Sequence, residues 1–187
     1  MDNILKALNA IHPISKELTG YLLNTIKIAE VKKGEYLLRE GQVSRRANFV
    51  SQGLLRSFNI VEGEEFTVGF FKEGEVSISL ASYESQTPSL EYVEALEDSV
   101  IYYLERQDLE YLFAHYPEAE KIGRKIFYNA AATYTAQLNK AKMLPALDRY
   151  KWFVKHHADL VLRVPAKYIA SYLGLSESTL SRLKSSR

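Results

Sequence analysis

The chain has 187 residues, a net charge of +1 and no cysteine. Without thiols there are no disulfides, thiolate zinc sites, cysteine-ligated iron–sulfur clusters or cysteine nucleophiles, and the expected setting is a reducing cytoplasm. Apolar residues make up 47% and charged residues 25%, with no apolar run near membrane-spanning length, which reads as a globular chain of one or two domains off the membrane.

The N-terminus, MDNILKALNAIHPISKEL, lacks the cationic start of a secretory signal. Residues 2 to 24 read as helix: ILKALNAIH, then a Pro-Ile-Ser start, then KELTGYLLNTI. From 26 to 105 short runs rich in Val, Ile, Phe and Tyr alternate with Gly34, Gly41, Gly53, Gly63 and Gly74. This rhythm predicts an antiparallel β-sandwich or barrel. RQDLEYLFAHYPEAEK reads as a helix ended at Pro117. From Glu118 to about Met143, Ile122, Ile126, Ala130, Tyr134 and Leu138 recur every four residues. That is one helix of roughly 35–40 Å, closed by Pro145. PALDRYKWFVKHHADLVLR is a further helix, and two short ones follow. The expected class is α+β. An antiparallel, jelly-roll-like β-roll with flanking helices spans 1–116, a long helix spans 117–143, and a helix-turn-helix domain spans 144–187.

The near-neutral total hides an asymmetry. Residues 140–187 hold ten basic and three acidic residues, whereas the remainder holds 14 basic and 20 acidic. A basic end on an acidic body points to a polyanion partner for the end alone. That end reads IASYLGLSESTLSR. Ala170 lets two helices approach, Gly174 accepts the turn, and Leu180 plugs the second helix onto the first. Ile169, Leu173, Leu175 and Leu183 complete a small core, and Ser176 is placed to cap the second helix. That helix then projects Glu177, Ser178, Ser181 and Arg182 away from the core. Arg182 can bond a guanine edge in bidentate fashion. Lys167, Thr179, Lys184 and Arg187 are placed for phosphates.

A glycine-punctuated β-roll, one long helix and a terminal helix-turn-helix, in this order, resemble the Crp/Fnr family of bacterial transcription regulators. GEYLLREGQ, FKEGEV and EALEDSVIYYLERQDLEYLFAHYP are similar to the family's cyclic-nucleotide-binding-type domain, and VPAKYIASYLGLSESTLSRL to its DNA-reading domain. The resemblance implies a homodimer joined along the long helix, for which Ile122, Ile126, Ala130 and Leu138 are the candidate contacts. It implies an effector pocket inside each β-roll and a double-stranded DNA operator as partner, with RNA polymerase and an unidentified small molecule as further partners and no cofactor. It places base contacts on Glu177, Ser178 and Arg182, and phosphate contacts on Lys167, Ser176 and Thr179. Two departures stand out. The family's phosphate-pairing Arg falls on Ser89 and its ribose-holding Glu on Ser79, and residues 73 to 105 contain no Lys or Arg. An unpaired phosphate buried there is costly. The expectation is therefore no response to cyclic AMP through the usual cassette. An effector would be neutral, apolar or cationic near Ser79, Ser89 and Tyr92, unless Arg45, Arg46 or Arg56 supplies a cation from another strand. Failing an effector, the free protein is already competent for DNA. The second departure is that no β-hairpin wing is expected after the recognition helix.

Other classes fit less well, and no catalytic residues or metal site are expected. A cupin-type enzyme needs His ligands inside the barrel, but His12, His115, His156 and His157 all lie outside 26–105. Phe49, Phe58, Phe66, Phe70, Phe71, Tyr92 and Tyr102 read as barrel core rather than a ligand box. The alternative to a DNA regulator is a dimeric interaction or ligand-sensing protein whose end does not bind DNA specifically.

Overall fold

The computed structural model describes residues 1–185. Two helices open the chain, α1 (Asp2–Ile11) and α2 (Lys16–Thr25). The Ser15 hydroxyl caps α2 by accepting the Leu18 N–H at 3.1 Å, and it donates to the Glu118 carboxylate at 2.6 Å. Eight strands follow: β1 (Lys27–Val31), β2 (Tyr36–Leu38), β3 (Arg46–Gln52), β4 (Leu55–Val61), β5 (Glu64–Phe71), β6 (Val76–Ser77), β7 (Tyr92–Ala95) and β8 (Ser99–Glu105). They form two antiparallel four-stranded sheets, in the orders β1-β8-β3-β6 and β2-β7-β4-β5. Between the sheets, Leu38, Val50, Leu55, Val93, Ala95 and Ile101 make one core. Gly53 turns β3 into β4 at φ +98°, and a Cβ there would lie 2.8 Å from the Ser99 backbone, so no side chain fits.

The aromatic residues do not fill the roll as expected. Only Phe71 packs against the inter-sheet core. Phe49 and Tyr102 stack on the opposite face of their sheet, in the cluster shared with α1 and α2. Phe70 meets Tyr172 of the C-terminal region, and Phe66 is half exposed. The reason is that helices cover the outer faces of both sheets, so those faces are apolar too, and the narrow interior takes mostly aliphatic side chains.

The helices after the roll's first strands are α3 (Leu80–Ser85), α4 (Arg106–His115), α5 (Pro117–Met143), α6 (Ala146–His156), α7 (Ala158–Arg163), α8 (Ala166–Leu173) and α9 (Glu177–Ser185). Helix α5, at 27 residues, is about 40 Å long. In the C-terminal region Phe153, Leu160, Ile169, Ala170 and Leu180 are buried together, and Leu54 and Leu96 of the β-roll belong to the same cluster.

The C-terminal region is thus docked on the roll. Helix α8 lies along β5, where the Ser171 hydroxyl accepts the Thr67 N–H and donates to the Glu65 carbonyl, both at 2.8 Å. Arg163 reaches Glu97 at 2.7 Å, Glu73 at 2.9 Å and the Gly53 carbonyl at 3.1 Å. These bonds raise the Arg163 pKa and lower that of Glu73. Lys72 pairs with Asp159 at 2.6 Å. Arg56 is fully buried beneath α8. It bonds Glu65, Glu94 and Thr67 at 2.7, 2.8 and 3.0 Å, and Tyr168 covers its guanidinium at 3.6 Å.

Candidate nucleic-acid interface and ligand cavity

The sequence IASYLGLSESTL builds a tight helix-turn-helix. Gly174 sits in the left-handed region at φ +64°, and the Leu175 N–H returns to the Ala170 carbonyl at 2.9 Å. Ile169, Ala170 and Leu180 are almost wholly buried, fixing the angle at which α9 leaves the turn. The Ser176 hydroxyl accepts the Thr179 N–H at 3.1 Å and donates to the Thr179 hydroxyl at 2.9 Å. Glu177, Ser178, Ser181, Arg182 and Lys184 are exposed on α9, and Lys167 is exposed at the start of α8. Arg182 approaches the Thr179 hydroxyl at 3.4 Å. The residues named for bases are therefore all exposed on α9, whereas Lys167 lies over the Tyr168 ring at 4.7 Å, on the helix that packs against the roll, and Arg187 lies outside the described residues.

On α5 the residues named for dimerisation divide. Ile122 is 4% exposed and packed inside its own protomer, where α5 meets α4 and α1. It is not available to a partner helix, because the first turns of α5 cover the roll's helical flank. Ile126 is half-buried, while Ala130 and Leu138 are exposed. Phe127, Tyr128, Tyr134 and Met143 are exposed with them. The four-residue periodicity could not separate the buried start of this helix from its bare remainder.

Of the three residues named for an effector, the roll brings two together. The Ser79 and Ser89 hydroxyls, both buried, lie 3.0 Å apart. Ser89 also accepts the Glu91 N–H at 2.9 Å. Burial pushes the nearby Glu91 carboxyl up, with the Ser79 hydroxyl opposing this. Tyr92 is elsewhere: its ring stacks on Phe58 at 5.0 Å and its hydroxyl donates to Glu40 at 3.2 Å. The alternation of β7 explains this, since Val93 fills the inter-sheet core and Tyr92 turns to the other face.

A cavity of ≈ 540 Å³ opens inside the roll beside Ser79, and a second of ≈ 500 Å³ adjoins it through Leu37, Arg46 and Asn48. Arg45 and Arg46 line the first cavity, so the roll does obtain cations, from β3 and the residue before it. Arg56 supplies none, being committed to Glu65 and Glu94. Among the described residues no cluster of His, Asp and Glu is arranged to hold a metal ion, and no helix is long and apolar enough to cross a membrane.

Residues 28–116 match the cyclic nucleotide-binding domain family. No curated protein sequence matches the chain. Among solved structures the chain is similar to FixK2 from Bradyrhizobium japonicum, with 20% identity, TM-score 0.74, and coverage of 87% of this chain and 84% of that one. It is similar to a CooA mutant from Carboxydothermus hydrogenoformans, with 20% identity, TM-score 0.75, and coverage of 98% and 83%. A transcriptional regulator of the Crp/Fnr family from Eubacterium rectale matches with 12% identity, TM-score 0.70, and coverage of 91% and 82%. The fold of this chain is that of the Crp/Fnr regulators.

Proposed function

We propose that this chain, a cyclic nucleotide-binding-type β-roll joined to a helix-turn-helix on the Crp/Fnr fold, is a sequence-specific DNA-binding transcription regulator. In this reading it acts as a cytoplasmic homodimer, by binding and not by catalysis. The observation that carries the reading is the surface of α9. Glu177, Ser178, Ser181 and Arg182 are exposed together on a helix whose other side is locked by Leu180. Such a helix enters the major groove with its first residues at base edges. Lys167, Ser176, Thr179 and Lys184 flank it for phosphate contact, with Arg187 beyond.

The bare part of α5 supports pairing with a second copy, which would set two recognition helices on successive turns of DNA, about 34–36 Å apart. RNA polymerase is a further partner in this reading. Cyclic AMP is not the trigger. Placed as in the family cassette, its phosphate would meet the Ser89 hydroxyl and its ribose the Ser79 hydroxyl, two groups without charge that already bond each other. Electrophoretic shifts test the reading. Arg182→Ala should cost about 1–3 kcal/mol and blur preference at one operator position, and Lys167→Ala should weaken all sequences alike.

The docking of α8 on the roll favours one second reading, a dimeric ligand-sensing protein that does not bind DNA specifically. In that case Arg182→Ala changes no shift and no operator emerges.

A further inference from the structure

The end of α5 leaves a backbone acceptor without its helical donor. Inside an α-helix the Ala141 carbonyl would accept from the residue four places on, but that residue is Pro145, which has no N–H. The Leu144 N–H closes the helix one bond earlier, on the Lys140 carbonyl at 3.0 Å. The Ala141 carbonyl thus sits at the negative end of a 27-residue helix, open to a cationic donor.

Pro145 also starts α6. The Asp148 and Arg149 N–H groups both turn back to its carbonyl at 3.0 Å, which places Arg149 in the first turn, beside the buried Tyr150 and Phe153. From there the guanidinium reaches back to α5, where Nη1 donates to the Ala141 carbonyl at 2.7 Å. Nη2 reaches the other way, 3.4 Å from the Gly174 carbonyl in the turn before α9. The Nε N–H is buried without a partner. Leaving that donor unpaired is costly, so packing holds the fork here against its own solvation. Lysine offers a single point donor, whereas the planar guanidinium spans two acceptors. One side chain therefore joins the helix proposed for dimer contact to the turn that sets the recognition helix. Gly174 and Leu180 fix α9 against α8 and leave its place relative to α5 open; Arg149 supplies that link.

We propose that Arg149 is a positioning residue for operator reading: it fixes the separation of the two recognition helices in a dimer, and with it the half-site spacing the protein accepts. It touches no DNA in this role, because both Nη groups are spent on the chain's own carbonyls. The inference rests on the proposed function, dimer included. DNA geometry sets the scale. Successive base pairs rise about 3.4 Å, so a relative shift of the two α9 helices by that distance moves the preferred spacing by one pair. An inserted pair also rotates one half-site against the other by roughly a tenth of a turn, so the DNA must twist or contacts are lost.

The test is fluorescence anisotropy of the full-length chain on duplexes built from the operator that the wild type selects. One duplex carries a single half-site, and the others carry both half-sites with base pairs removed or added between them. The wild type should prefer one spacing over its neighbours by about tenfold or more. Arg149→Met should flatten that preference to within about threefold, while half-site affinity stays within about threefold of wild type and light scattering still shows a dimer. Arg149→Lys keeps the cation at the end of α5 but not the bridge. It should fall between the two, and it decides the matter if Arg149→Met does not fold. The salt dependence on the half-site should not change, whereas a lost phosphate contact would lower its slope by about one. The proposal is overturned if the wild type accepts every spacing, if both variants keep its preference, if both lose half-site affinity as much as full-site affinity, if they become monomers, or if the slope falls. A wild type that enriches no operator removes the DNA reading and this inference with it. A wild type with a strict spacing that both variants share removes the inference alone.

Discussion

Removing the buried Arg56 should damage the protein more than removing any other charged residue on the strands. Its guanidinium is fully buried, 2.8 Å from Glu94 and 2.7 Å from Glu65, and lies between Phe58 at 4.1 Å and Tyr168 at 3.6 Å. Glu65 is half exposed and can rehydrate, so its loss costs about 0–1 kcal/mol. Glu94 is 8% exposed and cannot. Leaving it uncompensated costs about 3–5 kcal/mol, and this contribution dominates. Burial already raises the Glu94 pKa, with Arg56 opposing. The folded chain therefore holds this proton more tightly than the unfolded chain. Stability from Glu94 is full below the ordinary carboxylate pKa and falls as pH rises through the folded value. Without Arg56 the folded value climbs further, so the deficit of Arg56→Ala should be largest near pH 7 and shrink towards pH 5. Urea unfolding at both pH values, followed by circular dichroism and by the single tryptophan, Trp152, measures this. Arg56→Met/Glu94→Gln should recover at least half of the loss. A cost below about 1 kcal/mol at pH 7, or one independent of pH, refutes the reasoning.

Arg163→Ala removes bonds from α7 to Glu73, Glu97 and the Gly53 turn. With the network partly solvated, the loss should be roughly 1–2 kcal/mol, read as faster amide exchange at Thr67 and in α8. Unchanged exchange would mean that the docking does not depend on this network. Ile122→Ala should cost about 2–5 kcal/mol without altering oligomeric state, whereas Leu138→Asp should give monomers by light scattering. A wild-type monomer at micromolar concentration would end the dimer proposal. Calorimetry with cyclic AMP should show no binding below roughly millimolar concentration, and micromolar affinity would contradict the loss of the cassette.

Much of the architecture could be read from local pattern. The glycine rhythm between Gly34 and Gly74 marks corners that the strands obey, and Pro117 and Pro145 bracket a helix whose period is plain in Ile122, Ile126 and Ala130. The turn at Gly174 and the plug at Leu180 carried their own geometry. The rest depended on what lies across space. That Phe49 and Phe70 cover outer sheet faces follows only once helices are known to pack there. That Tyr92 turns away from the cavity follows from the strand register, which the sequence does not print. Arg45 and Arg46 could be named as spare cations, but the alternation of Arg46, Asn48 and Val50 needed Val50 placed in the core before it pointed inward. The docking of Ser171, Tyr168 and Arg163 on the roll left no local signal at all.

The most direct test of the central claim is selection of DNA from a random pool by the purified chain, followed by fluorescence anisotropy on the enriched sequence over a range of salt. The account predicts a palindromic operator with half-sites one helical turn apart, affinity falling steeply as salt rises, and preference blurred at one position by Arg182→Ala. A pool without an enriched sequence, together with binding indifferent to salt and to Arg182, would contradict it.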